Sequence, residues 1–290
     1  MRRTLRHIVV CSRQSEPTLA ILDQVVAAPM PSRGVWLDRL ALRAAAAAAQ
    51  ALGRPEDDAA IRDAIAFRAG GDDPGPAGRA FLLWRGSAAR SPNLDRDGIL
   101  AAIGRFGLKP DAAIATLVDA ALAAGPSAQP PVAAAARAAL ACRGDRAELA
   151  VIGAWLGDLV LARRLGWPVT IPLLAAPLLT RSWRSLMGSG AAPTDWARWY
   201  ACASGGATHA VDLAADLGRR AALLLAAAPR LRAKAASKVV DELLSQDVLA
   251  ASATLAGISD RGLRRLFERL LALGAVRELS GRPTFRFYGL

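Results

Sequence analysis

The stretch SDRGLRRLFERLLALGAVRELSGRPTFRFYGL (residues 259–290) decides how the rest of the chain is read. Ser259 stands where a helix N-cap belongs, and Asp260 follows in the first turn, where the helix dipole favours an acid. From there the pattern is amphipathic. At 100° per residue, Leu263, Leu266, Phe267 and Leu270 fall on one side; Arg261, Arg264, Arg265 and Glu268 fall on the other, with Arg269 at the border. Gly274 ends the helix. AVREL and TFRFY then form two strands around SGRP, whose glycine and proline suit a turn. A loop of the four residues Ser280 to Pro283 sets Arg277 opposite Arg286 and Val276 opposite Phe287. Like charges facing each other across two strands repel, so this register implies an anionic partner, with Arg282 at the tip of the ribbon.

Upstream, AKAASKVVDELLSQD (233–247) puts Ala236, Val239, Val240, Leu243 and Leu244 on one helical face, and VLAASATLAG (248–257) has the composition of a second, short helix ending at Gly257. Helix, short helix, tight turn, helix and β-hairpin in that order make a winged helix-turn-helix. In that motif the third helix lies in the DNA major groove, where arginines pair with guanine or grip phosphate. The expected DNA contacts are Arg261, Arg264, Arg265 and Arg269 from the helix, and Arg277, Arg282 and Arg286 from the wing. Such modules commonly act as dimers on two-fold sites, so a homodimer is part of the expectation, for a transcriptional regulator or a plasmid-associated factor. The alternative is a protein-interaction scaffold whose winged helix docks a protein partner, which calls for an apolar patch beside the arginine face.

Residues 1–229 carry period-3.6 patterning with short breaks and little alternation of period two, so the expectation is a multi-helical body joined at about residue 230 to the winged helix (230–290), mainly α throughout. PTLAILDQVVAA, GVWLDRLALRAAAAAAQALG, PEDDAAIRDAIAFRAGG, GPAGRAFLLWRGSAAR, DRDGILAAIGRFG, PDAAIATLVDAALAAG and PPVAAAARAALACRG are successive helical runs. DRAELAVIGAWLGDLVLARRLG (145–166) is the most apolar of the long runs and is expected to be buried on most sides. Residues 194–229 make one or two helices around Gly205 and Gly206.

Composition bounds the classes. An apolar share of 53% in 290 residues is enough for a sizeable core and too high for a disordered chain. The longest nearly uncharged apolar stretch, WPVTIPLLAAPLLT (167–180), is too short to span a bilayer and holds three prolines. MRRTLRHIVVCSRQ lacks the apolar run of a signal peptide. Cys11, Cys142 and Cys202 form neither a disulfide framework nor a CxxC pair, which suits a reducing, cytoplasmic setting. The net charge is +12, carried almost entirely by arginine, since Lys109, Lys234 and Lys238 are the only lysines. That bias has the look of GC-rich coding. The clustering of seven arginines against Glu268 and Glu278 after residue 260 is more specific, and is the footprint of a polyanion partner.

Other constellations carry less. GGDDPGPAGR (70–79) lacks the lysine and hydroxyl residue of a phosphate loop and holds two aspartates, so it is a capped turn. His209, Asp212 and Asp216 share a helical face, but no acidic cluster flanks them, and a hydrogen-bonded histidine fits better than a metal ligand. Trp183, Trp196, Trp199 and Tyr200 with Arg184 and Arg198 suit core packing better than base stacking. Asp158, in a strongly apolar helix, needs a partner, for which Arg163 or Arg164 is at hand. No nucleophile with a neighbouring base is found, and no cofactor, metal or enzymatic activity is expected.

LGDLVLARRLGWP (157–168), DPGPAGR (73–79) and GAVRELSGRPTFRFYGL (274–290) resemble an uncharacterised bacterial family, domain of unknown function 1403, found mainly in alphaproteobacteria of the rhizobial type. The resemblance covers nearly the whole chain. It implies that the helical body and the C-terminal module belong together, and it supplies no catalytic residues.

Overall fold

The computed structural model describes residues 17–290 except 69–70, 90, 93–94, 142–145, 180–195, 232–235, 252, 254–256 and 281–285, with backbone alone at 196–198. Two helices organise it. Helix α2 (Arg33–Ala51) buries Trp36, Leu40 and the alanines at 44–46 and 48–49; its small side chains let neighbours approach from several sides. Helix α8 (Ala147–Leu165) is buried at every position from Val151 to Ala162, as an all-round apolar sequence requires. Around them lie α1 (17–27), α3 (Asp58–Ala66), α4 (Gly75–Ala88), α5 (Arg96–Phe106), α6 (Ala112–Ala124), α7 (Pro131–Leu140), the short α9 (Ala175–Leu178) and the long α10 (Trp196–Ala227). The mainly α fold expected from the sequence is therefore what the chain adopts.

Local chemistry sets the helix starts. Asp57, Asp95 and Asp111 each accept a hydrogen bond from the third backbone N–H beyond them, at 2.8–2.9 Å, satisfying donors that a helix start leaves open. Glycine sets two of the closest contacts. Gly153 of α8 faces the carbonyl oxygen of Ala139 on α7, where a Cβ would come within 2.5 Å of it. Gly206 faces the Leu173 carbonyl, and α10 runs unbroken through Gly205 and Gly206 as one helix. Along α10, Ala203, Ala207, Ala210, Ala214, Leu217, Ala221 and Leu224 form the buried seam, and the Trp36 indole donates to the Ala210 carbonyl at 2.9 Å.

After a 3-10 turn (Ala228–Arg230) come α11 (Ala236–Ser245), β1 (Leu249–Ala250), α12 (Asp260–Ala272), β2 (Arg277–Glu278) and β3 (Phe287–Gly289). The strands make one antiparallel sheet in the order β1-β3-β2. This corrects the expectation of a short helix over VLAASATLAG: its residues 249–250 are a strand paired with residues 288 and 287. Helical propensity in Leu-Ala-Ala is a weak prior that a sheet partner overrides. The body and this C-terminal part share one continuous hydrophobic core.

Candidate functional site

Helix α12 is built from a cap and a stripe. The Ser259 hydroxyl accepts from Gly262 N–H at 3.2 Å, and Asp260 lies in the first turn. Leu263, Leu266, Phe267 and Leu270 are buried, and Phe267 stacks on Tyr288 of β3 with ring centroids 4.2 Å apart. Burying these four side chains contributes roughly 1.5–3 kcal/mol each, which fixes the rotation of the helix. Arg261, Arg264, Arg265 and Arg269 are consequently exposed, with Glu268 among them. Among the described residues, none of these four arginines enters a salt bridge.

The ribbon differs from the expected register. Arg277 pairs with Gly289 and Glu278 with Tyr288, so Arg277 and Arg286 do not face each other, nor do Val276 and Phe287. The pairing slides by three residues and lengthens the loop. Four contacts hold it there. Leu279 N–H donates to the Phe287 carbonyl at 2.8 Å, and Phe287 N–H donates to the Ser280 hydroxyl at 2.9 Å. The Phe287 ring lies 4.7 Å from that of Phe67, and Gly289 lets the Asp247 carbonyl approach where a side chain would collide. Arg286 lies 3.8 Å from Glu278 with its side chain 53% exposed, so the repulsion expected between two arginines is replaced by a loose attraction. Arg277 is exposed, within electrostatic reach of Asp216 and Arg220 on α10. Arg282 lies outside the described residues.

Behind the ribbon sits a charge cluster that no local sequence pattern announced. Asp247, buried between α11 and β1, accepts from Arg39 at 2.7 Å and from Arg62 at 2.6 Å. Arg39 also donates to the Leu290 backbone oxygen at 2.6 Å. Beside it, Asp247 N–H donates to Asp38, which pairs with Arg85; burial outweighs that arginine and pushes the Asp38 carboxyl up to about 6. These residues come from α2, α3, α4 and the α11–β1 turn, up to 209 positions apart, so the C-terminal part is bolted to the body by ions as well as by apolar contact. A buried pair like this fixes geometry more than it adds stability.

The remaining candidates have ordinary partners. His209 Nδ1 accepts from Arg43 at 3.0 Å; burial, then that guanidinium, holds the imidazole below its usual range and so neutral at pH 7. Asp216 pairs with Arg220 at 2.7 Å and Arg219 at 3.3 Å, and among the described residues no group of three acidic, histidine or cysteine side chains could hold a metal. Trp199 and Tyr200 are buried, and the rest of that aromatic group lies outside the described side chains. Asp158 is not paired with an arginine, which corrects the expectation. It accepts from the Trp84 indole at 3.0 Å and from the backbone N–H groups of Leu173 and Leu174 at 3.0 and 2.9 Å. Three donors favour the carboxylate, but complete burial wins and pushes its pKa to about 7. At 73–79, Asp73 accepts from Gly75 N–H at 3.0 Å and from Arg79 at 3.1 Å, the arrangement of a capped turn. Among the described residues no helix is long and apolar enough to cross a membrane.

Fold and site together define a mainly α-helical protein that ends in a small mixed unit presenting an arginine-faced helix. The chain belongs to the family described as protein of unknown function (DUF1403), which it matches over residues 7–290. No curated protein matches the sequence.

Proposed function

We propose that the chain binds duplex DNA through the exposed face of α12, using its C-terminal part as a winged helix-turn-helix. The observation that carries this reading is that face itself: four exposed guanidiniums on a helix whose opposite side is fully committed to the core. The succession α11, β1, α12, β2, β3 with sheet order β1-β3-β2 supports the winged-helix reading, β2 and β3 flanking the wing. Arg261 and Arg264, toward the start of α12, are suited to base edges, where a planar guanidinium pairs bidentately with guanine. Arg265 and Arg269 are suited to phosphate, as are Arg286 and Arg282 on the wing. Glu268 within the face disfavours phosphate near it and narrows the approach. Arg277 faces acidic Asp216 as well as solvent, and its share in binding is the smallest of the set.

The test is fluorescence anisotropy of labelled duplex DNA taken from around the chain's own gene, titrated at several salt concentrations against unlabelled competitor. Binding tighter than about 0.1 µM at physiological salt, with a steep salt slope and resistance to competitor, is the expected result. Absence of binding at that salt overturns the proposal and favours the docking of a protein partner.

A further inference from the structure

Helices α4 and α5 are joined by a short connection and lean apart over α8, leaving an open cleft of about 550 Å³. That volume is in the range of small-molecule sites. Its walls are apolar: Leu83 from α4, Ile99, Ala102 and Phe106 from α5, Trp155 and Leu159 from α8. The Trp155 indole is already committed, donating to the Ser87 hydroxyl at 2.8 Å, so the wall it forms is rigid and its polar edge is satisfied.

The cleft is polarised along its length. Arg79 comes from the first half of α4 and Arg105 from the end of α5, and both line it. The Arg79 guanidinium lies against Gly107, just beyond Arg105, where a Cβ would sit 3.4 Å from Cζ, so both cations belong to the same end. Asp73 binds one nitrogen of Arg79. Among the described residues Arg79 Nε is buried without a hydrogen-bond partner, and Arg105 enters no salt bridge. At the other end are Ser87, Ser91 and the acidic Asp95. One end therefore has cationic capacity in excess of its acids, and the other repels anions.

Gly86 adds an independent observation. It lies within α4, lines the cleft, and a Cβ built on it meets nothing within 4 Å. Glycine inside a helix costs about 1 kcal/mol relative to alanine. No packing neighbour requires that glycine, in contrast to Gly153 and Gly206; its effect is to widen the cleft beside the apolar wall.

We infer that the cleft between α4, α5 and α8 binds a small amphipathic carboxylate, with its anionic head at Arg79 and Arg105 and its apolar body along Ile99, Phe106 and Leu159. The site is separate from the arginine face of α12 and does not depend on DNA binding. A charge-assisted pair with guanidinium orients the head, and burial of the apolar body supplies most of the attraction. The probe is dodecanoate, with dodecanol as its uncharged counterpart, titrated by isothermal calorimetry into the full chain below the micelle concentration. Saturable one-to-one binding of dodecanoate is expected, at least tenfold tighter than that of dodecanol. Arg105→Ala should remove most of that preference and leave dodecanol unchanged. Gly86→Leu, which fills open space, should abolish binding of both while its thermal midpoint stays at or above that of the parent chain. No saturable binding, or dodecanoate binding that survives Gly86→Leu in a folded variant, overturns the inference. Arg105→Ala is a surface substitution and keeps the head-group claim testable should Gly86→Leu fail to fold.

Discussion

Helices α8 and α12 have much the same ingredients, leucines and alanines with arginines, and opposite fates. In α8 the apolar residues run all round the wheel, the arginines are confined to the last turn, and every residue from Val151 to Ala162 is buried. In α12 the arginines recur every three or four residues, so the leucines are gathered into one stripe and the cations onto the open side. Placement, rather than composition, separates a core element from a surface one. The two buried aspartates repeat the contrast. Asp158 on α8 is satisfied by neutral N–H donors; Asp247 ahead of β1 is satisfied by two guanidiniums. The body solves its polar problems locally and without charge, whereas the C-terminal part is tied on with ions.

Removing that tie should have the largest effect. Asp247→Ala leaves Arg39 and Arg62 largely buried without their shared acid, and is expected to cost about 3–5 kcal/mol in urea unfolding. A cost below about 1 kcal/mol would mean that apolar contact alone holds the junction. Gly153→Ala forces α7 and α8 apart at the Ala139 carbonyl, and a loss of about 1–3 kcal/mol is expected, whereas Gly104→Ala, where a Cβ meets nothing within 4 Å, should be neutral or gain up to about 1 kcal/mol.

Asp158→Asn comes next. Its amide nitrogen would confront a donor, the Trp84 indole or a backbone N–H, for a loss of about 1–3 kcal/mol. The Asp158 carboxyl is raised from 3.8 to about 7 on folding, so the folded state holds its proton more tightly than the unfolded state. Its contribution is full below pH 3.8 and is lost as the pH rises through about 7. Asparagine does not titrate, so the deficit of the variant should narrow from pH 5 to pH 8. A deficit that widens over that range would show a carboxylate already ionised at pH 5. The smallest effect on stability is expected from Arg261, Arg264, Arg265 and Arg269 changed together to glutamine. These exposed side chains should move the unfolding free energy by no more than about 0.5 kcal/mol each.

The contrast between α8 and α12 was legible in the sequence because helical periodicity is local, and so was the Ser259 cap, three residues from the N–H it binds. What was not legible depends on distant partners. Strand β1 exists because residues 249–250 meet β3 nearly forty positions later, and the register of β2 on β3 is held by contacts with Asp247 and Phe67. Asp158 had two arginines one turn away, yet its partners arrive from Trp84 on α4 and from the loop before α9; Arg164 instead donates to the Gln129 carbonyl at 2.7 Å. The junction of Asp247, Arg39 and Arg62 had no signal at all, since each residue alone resembles any charged position on an amphipathic helix or turn.

The central claim is that α12 presents its arginines to a polyanion. The most direct measurement compares the salt dependence of duplex DNA binding between the parent chain and the four-glutamine α12 variant. The account predicts a weaker variant whose slope of log affinity against log salt is shallower by roughly three to four, one counterion per lost phosphate contact. Equal affinity and equal slope in a folded variant would contradict it, and would move the DNA-binding surface off α12.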